Sequence, residues 1–159
     1  MVRLALRKAP VVIKPVIRRA TASDVAPLTE TIRAAYAIYD GRGIALPPVW
    51  ADLDQVIAET PVFVAEGGTD LLGVIVVRLE SDTLQIENIA VRPEATGLGL
   101  ARALMTRAET LARSLGIQKL VLATHRDLSE NISLYQHLGW TVTARDGNKV
   151  LMEKTLTSA

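Results

Sequence analysis

The segment Val91-Arg92-Pro93-Glu94-Ala95-Thr96-Gly97-Leu98-Gly99-Leu100-Ala101 decides how the rest of the chain is read. It leaves an apolar run and enters a helical pattern. Leu100, Leu104, Ala108, Leu111 and Leu115 recur on one face before Gly116 closes the helix. The first turn of such a helix exposes backbone N–H groups without intrahelical acceptors, together with the positive end of the helix dipole. Glycines at 97 and 99 let a ligand approach that backbone closely, which suits a phosphate or pyrophosphate. A dinucleotide-binding loop would need Gly or Ala where Arg102 stands, and an acid about 20 residues on, where the chain reads Leu115-Gly116-Ile117-Gln118-Lys119. A nucleoside-triphosphate loop would need Gly-Lys and then Ser or Thr, where the chain has Gly99-Leu100-Ala101. Neither fits. By itself the glycine pair also suits a plain strand-to-helix turn.

Working outward, the apolar periods give the element order. Val16-Ile17-Arg18-Arg19 is β-prone, and Thr21-Ala22-Ser23-Asp24 is a helix-start signal. Leu28, Ile32, Ala35, Tyr36 and Tyr39 then share a helical face that Asp40-Gly41-Arg42-Gly43 ends. Pro47-Pro48 opens a second helix over residues 49–58. Strands follow over 62–65 and 71–79 around Gly67-Gly68, and over 84–91 after Ser81-Asp82. Beyond the long helix come a short strand at 120–123, a helix over 129–138 stopped by Gly139, and a hairpin over 140–154 turning at Asp146-Gly147. The order β-α-α-β-β-β-α-β-α-β-β predicts one α/β (α+β) domain with a mixed sheet.

Composition bounds the function. The 159 residues are 49% hydrophobic and 22% charged, an ordinary globular balance for one domain. No run approaches the ~20 apolar residues of a membrane span. The absence of cysteine removes disulfides, thiolate nucleophiles and Cys-ligated zinc, and fits a cytoplasmic, reducing setting. His125 and His137 are too few for a three-His metal site, so no metal is expected. A net charge of +1 gives no field to attract a polyanion. Residues 1–14 read as a basic arm and 15–157 as the domain. Arg3, Arg7, Lys8, Lys14, Arg18 and Arg19 are not accompanied by any acid up to residue 19. Nucleic acid binding would rest on that arm alone and is disfavoured.

A second motif narrows the ligand. Asn131 and Tyr135 lie at i and i+4, with Leu134 and Leu138 on the same stripe, and the helix runs into Gly139-Trp140. Val91-Arg92-Pro93 with Gly97, Gly99 and Ala101, together with Leu134-Tyr135 and Gly139-Trp140, resembles the GNAT superfamily of acyl-CoA-dependent N-acyltransferases. The likeness covers residues 16–154. It implies a mostly antiparallel sheet of about seven strands flanked by about four helices. It also implies an N-acetyltransferase moving acetyl from acetyl-CoA to a primary amine of a small molecule or protein by direct transfer. Thr96 stands where the family has Arg or Gln.

The resemblance assigns the cofactor loop to Thr96, Gly97, Leu98, Gly99, Leu100 and Ala101. It places the pantetheine arm between splayed strands against the backbone of Ile89 and Val91, with Asn131 bonding to the arm. Tyr135 becomes the general acid that protonates the thiolate; on helical spacing alone it would be a packed core tyrosine. Strict alternation puts Glu87 on the face of Ile89 and Val91, where apolar neighbours would raise its pKa and suit a base. A bulge would change that parity, exposure or a salt bridge is the plain alternative, and His125 is a second candidate base. Tyr36, Tyr39, Asp40 and residues 44–50, including Trp50, would form the acceptor site, or be core and turn. A non-catalytic acyl-CoA-binding module is the alternative function, and a homodimer remains open.

Overall fold

Residues of the central strands alternate between two helix-covered faces, each with its own apolar packing. Seven strands run in the order β1-β2-β3-β4-β5-β7-β6. They are β1 (Val16–Arg19), β2 (Val62–Gly67), β3 (Asp70–Glu80), β4 (Thr83–Val91), β5 (Lys119–His125), β6 (Thr141–Asp146) and β7 (Lys149–Thr155). The computed structural model describes residues 14–44 and 51–157, so residues 1–13 of the basic arm, Pro47-Pro48 and Trp50 lie outside the described residues. Neighbouring strands are antiparallel except β4 and β5. Four helices complete the domain: α1 (Val25–Gly41), α2 (Leu53–Glu59), α3 (Leu100–Ser114) and α4 (Ser129–His137). The mixed, mostly antiparallel seven-stranded sheet with four helices is the architecture expected from the sequence. One boundary moves. The second helix begins at Leu53, because Asp52 before it takes a left-handed φ of 60° that breaks helical continuity.

Each face has its own core. Leu28 and Ile32 of α1 and Leu53 of α2 pack on Val62, Val64, Val74, Val76 and Ala90. On the other face Leu100, Leu104, Met105 and Ala108 of α3 pack on Phe63, Ile75, Val77, Leu84 and Ile86. β3 supplies consecutive residues to both cores, which is why it reads as a near-continuous apolar run. Gly73 is a point of close approach: a Cβ there would stand 3.1 Å from the Ala90 carbonyl and 3.2 Å from Leu104. The start of α1 is tied to the sheet by Arg18, whose guanidinium donates to both Asp24 oxygens at 2.8 and 2.9 Å and also to Glu66. Asp24 accepts the Thr21 N–H at 2.7 Å in a capping box, so the expected helix start is real.

The sheet opens in its middle. β4 and β5 pair only over residues 83–86 and 119–122. Beyond that, β4 stays with β3 as far as Val91, and β5 stays with β7 as far as His125. The register explains the parting. Ile86 opposes Val77 and Asn88 opposes Val76, so Glu87 is an extra residue in β4. Such a bulge bends and twists its strand. The result is a V between β4 and β5.

Candidate functional site

Two cavities meet in the V. The larger, about 570 Å³, runs from Val91 and the Gly97–Gly99 turn to Leu134 and Leu138 of α4. The smaller, about 370 Å³, lies towards Glu87, Asn88, His125 and Lys149. Tyr36, Tyr39, Ile89, Asn131 and Tyr135 line both, so the junction is mostly aromatic and amide.

The loop is built to present backbone donors. Where β4 ends, the Arg92 N–H donates to the Leu72 carbonyl at 2.8 Å, and its Nε reaches the Leu71 carbonyl at 2.9 Å and Thr31 Oγ1 at 3.2 Å. These contacts fix the strand exit against α1. One 3-10 turn at Pro93–Ala95 follows, and then Gly97 and Gly99 take φ of 89° and 77°, a region that disfavours side chains. The Ala103 N–H is bonded to the Gly99 carbonyl at 3.0 Å. The N–H groups of Leu100, Ala101 and Arg102 therefore precede the helical ladder and are available to a ligand. Thr96, Gly97, Gly99, Leu100 and Ala101 line the larger cavity. Leu98 does not, and its side chain is half-exposed, so only its backbone can serve. Arg102 lines the cavity and was missed. The signal was its place one step after the glycine loop, in the first turn of α3.

Tyr135 is carried by α4 and is buried, its ring 6.5 Å from that of Trp140. Burial, with smaller contributions from Tyr39 and Tyr36, pushes its phenol well above the ordinary value, so it keeps its proton. The helix end is clamped: Lys154 Nζ donates to the Leu138 carbonyl at 2.7 Å and to Glu109 at 2.9 Å. Asn131 Nδ2 donates to the Tyr39 hydroxyl at 3.4 Å. Tyr36 donates to Asn88 Oδ1 at 2.8 Å, and burial, then Tyr39, pushes its pKa up to about 12. Arg42 at the end of α1 pairs with Glu130 of α4 and donates to the Asp127 carbonyl at 3.1 Å, bridging the two walls.

Glu87 differs from its expected surroundings. Ile89 and Val91 pack against the core on the α3 side. Glu87 instead pairs with Arg78 at 2.8 Å and is exposed, because the bulge shifts the alternation that would have set it among apolar side chains. It still lines the smaller cavity, beside His125. His137 and Asp40 are exposed and line neither cavity, and Ile44 is buried elsewhere. Asn88 and Lys149 were missed. Two consecutive polar residues in an apolar strand, Glu87-Asn88, were the available sign of the bulge. No group of residues suited to a metal occurs among the described residues.

Comparison with known proteins accords with this geometry. Residues 30–140 match the model of the Acetyltransferase (GNAT) family, and the chain belongs to that family. It is 30% identical over 136 residues to the uncharacterized N-acetyltransferase YjgM of Escherichia coli, covering 79% of this chain and 81% of that protein. It is 29% identical over 84 residues to spermidine N(1)-acetyltransferase of Thermoplasma acidophilum, covering 53% of this chain and 52% of that one. The fold is shared with the PaiA N-acetyltransferase of Thermoplasma acidophilum, solved in complex with coenzyme A. The TM-score is 0.83 at 22% identity over 90% of this chain and 99% of that chain.

Proposed function

We propose that the protein transfers an acetyl group from acetyl-CoA directly to a primary amine in a ternary complex. The observation that carries this reading is the pair of cavities joined at Tyr135. One ends on a helix N-terminus and the other opens towards polar side chains. The residues present fit the co-substrate. N–H groups of residues 98–101 offer donors for the pyrophosphate at the positive end of α3. Arg102 lines the same cavity and carries a charge that Thr96 lacks. Beyond Ile86 the β4 backbone has no β5 partner, so Ile89 and Val91 offer an open edge to the amide-bearing pantetheine arm, with Asn131 opposite.

In the transfer the amine nitrogen forms a bond to the thioester carbonyl carbon, and the carbon–sulfur bond breaks. The Tyr135 hydroxyl gives its proton, or a strong hydrogen bond, to the departing sulfur. The proton lost by the amine leaves through the smaller cavity to Glu87. His125 is less suited to that task. Its Nδ1 accepts the Asp127 N–H at 3.0 Å, which puts the proton of the neutral ring on Nε2. Thr96 in place of Arg or Gln favours a second reading, a module that binds acyl-CoA without turnover. Thiol release from acetyl-CoA over a panel of amines separates them. Release that depends on one amine class supports the enzyme, whereas CoA binding with no release across the panel supports the module.

A further inference from the structure

We infer that the acceptor amine also carries a carboxylate, received by the Asn88 amide, the His125 imidazole and the Lys149 ammonium at the smaller cavity. This rests on the acyl-transfer reading above and adds the substrate class.

Register and alternation put the three groups on one side of the sheet. Leu120 and Leu122 of β5, and Val150 and Met152 of β7, enter the α3-side core. His125 and Lys149 have the opposite parity and sit directly across from each other in the β5–β7 register. Asn88 joins them on that side through its bond to Tyr36 of α1. This part of the face is open, since Leu151, of the same parity as Lys149, is 36% exposed.

Each group has a donor to spare. The Asn88 oxygen is taken by Tyr36, and its Nδ2 is buried without a hydrogen-bond partner, a state that native interiors avoid. His125 presents Nε2–H once Nδ1 is occupied by the Asp127 N–H. Lys149 has no ion-pair partner among the described residues. A carboxylate is the common small acceptor of several donors of this kind.

The acids of the site argue the same way. Among the described lining residues only Glu87 and Glu130 are acidic, and each is already paired, with Arg78 and Arg42. Residues 45–50, which complete the α1–α2 connection, contain no charged residue. A polyamine would therefore meet one engaged carboxylate and a lysine in the smaller cavity. An amino acid would set its ammonium towards Glu87 and its carboxylate towards Lys149. A cavity of about 370 Å³ suits a molecule of that size.

The test uses the full chain, acetyl-CoA and matched acceptors: leucine with leucinamide, β-alanine with β-alaninamide, and spermidine, compared per free-base amine. At least one acid should exceed its amide in kcat/KM by about tenfold or more, the size expected for a charged hydrogen-bonded partner. Lys149→Ala should erase that ratio while CoA affinity stays the same, and Lys149→Arg should retain it. Amides equal to acids, a preference for spermidine, or an unchanged ratio in Lys149→Ala would overturn the inference and leave acyl transfer standing. If no acceptor releases thiol, the acyl-transfer reading fails. Calorimetry of the same pairs against the CoA complex then decides the inference: tighter binding of an acid than of its amide upholds it, and equal or absent binding overturns it.

Discussion

Position 135 is where chemistry and packing separate. Tyr135→Phe keeps the ring against Trp140, so stability and CoA affinity should move little. The loss of the proton donor should lower kcat by about 10²–10⁴-fold. Because that contact forms mainly in the transition state, kcat/KM should fall with kcat, and steady-state kinetics will show whether it does. The raised phenol adds a pH signature. Tyr135 stays protonated through the whole range in which enzymes are assayed, so its ionisation cannot produce an alkaline fall in kcat below about pH 10. An alkaline fall there that Tyr135→Phe abolishes would mean that the phenol titrates lower than its burial implies, while supporting its role as the acid. Asp24 titrates in the other direction. The Arg18 guanidinium holds it at about 2, below the ordinary carboxylate value, despite the opposing effect of burial. A folded-state pKa below the unfolded one gives stability that is complete above about pH 4 and is lost as pH falls towards 2. Asp24→Asn should cost on the order of 2 kcal/mol at neutral pH and flatten that acid limb in denaturant titrations.

Among the elements, the amino end of α3 is where the larger cavity meets unbonded backbone donors. Gly99 has a φ of 77° and no atom within 4 Å of an added Cβ, so a side chain there meets strain and not a clash. Gly99→Val should cost about 1–2 kcal/mol from the left-handed backbone and obstruct the cavity it lines. The expected outcome is a folded protein, slightly less stable by thermal melting, that no longer binds CoA. Undiminished CoA affinity in that folded variant would remove the loop from the site. Thr96 lines the same cavity and is exposed. Thr96→Arg should tighten CoA binding, since a charge-assisted phosphate contact adds about 1.5–3 kcal/mol before ordering costs. An unchanged dissociation constant would mean that the phosphates lie out of its reach.

Across the whole molecule, two cores share one sheet, and Gly73 of β3 is crowded by both β4 and α3. Gly73→Val should cost about 1–3 kcal/mol through overpacking against the Ala90 carbonyl and Leu104, read as a lowered denaturant midpoint. The features legible in the sequence were those set locally. The 3.6-residue stripe of α3, the near-continuous apolar runs of β2 and β3, the glycine turn after Val91, and the Asn131–Tyr135 spacing each depend on neighbours within a few positions. They were enough for the element order, the sheet class and the donor loop. The smaller cavity was legible only in part: Tyr36, Tyr39, Glu87 and His125 were named and Asn88 and Lys149 were not, because the cavity is made by pairings between distant segments. Glu87 leaves its expected face through a bulge defined only against Val76 and Val77 of β3. Asn88 becomes a cavity residue by meeting Tyr36, 52 positions away, and Lys149 by lying opposite His125. Local propensity determined which residues form strands and helices here. Strand register, which no single segment encodes, decided which polar side chains face each other across the V.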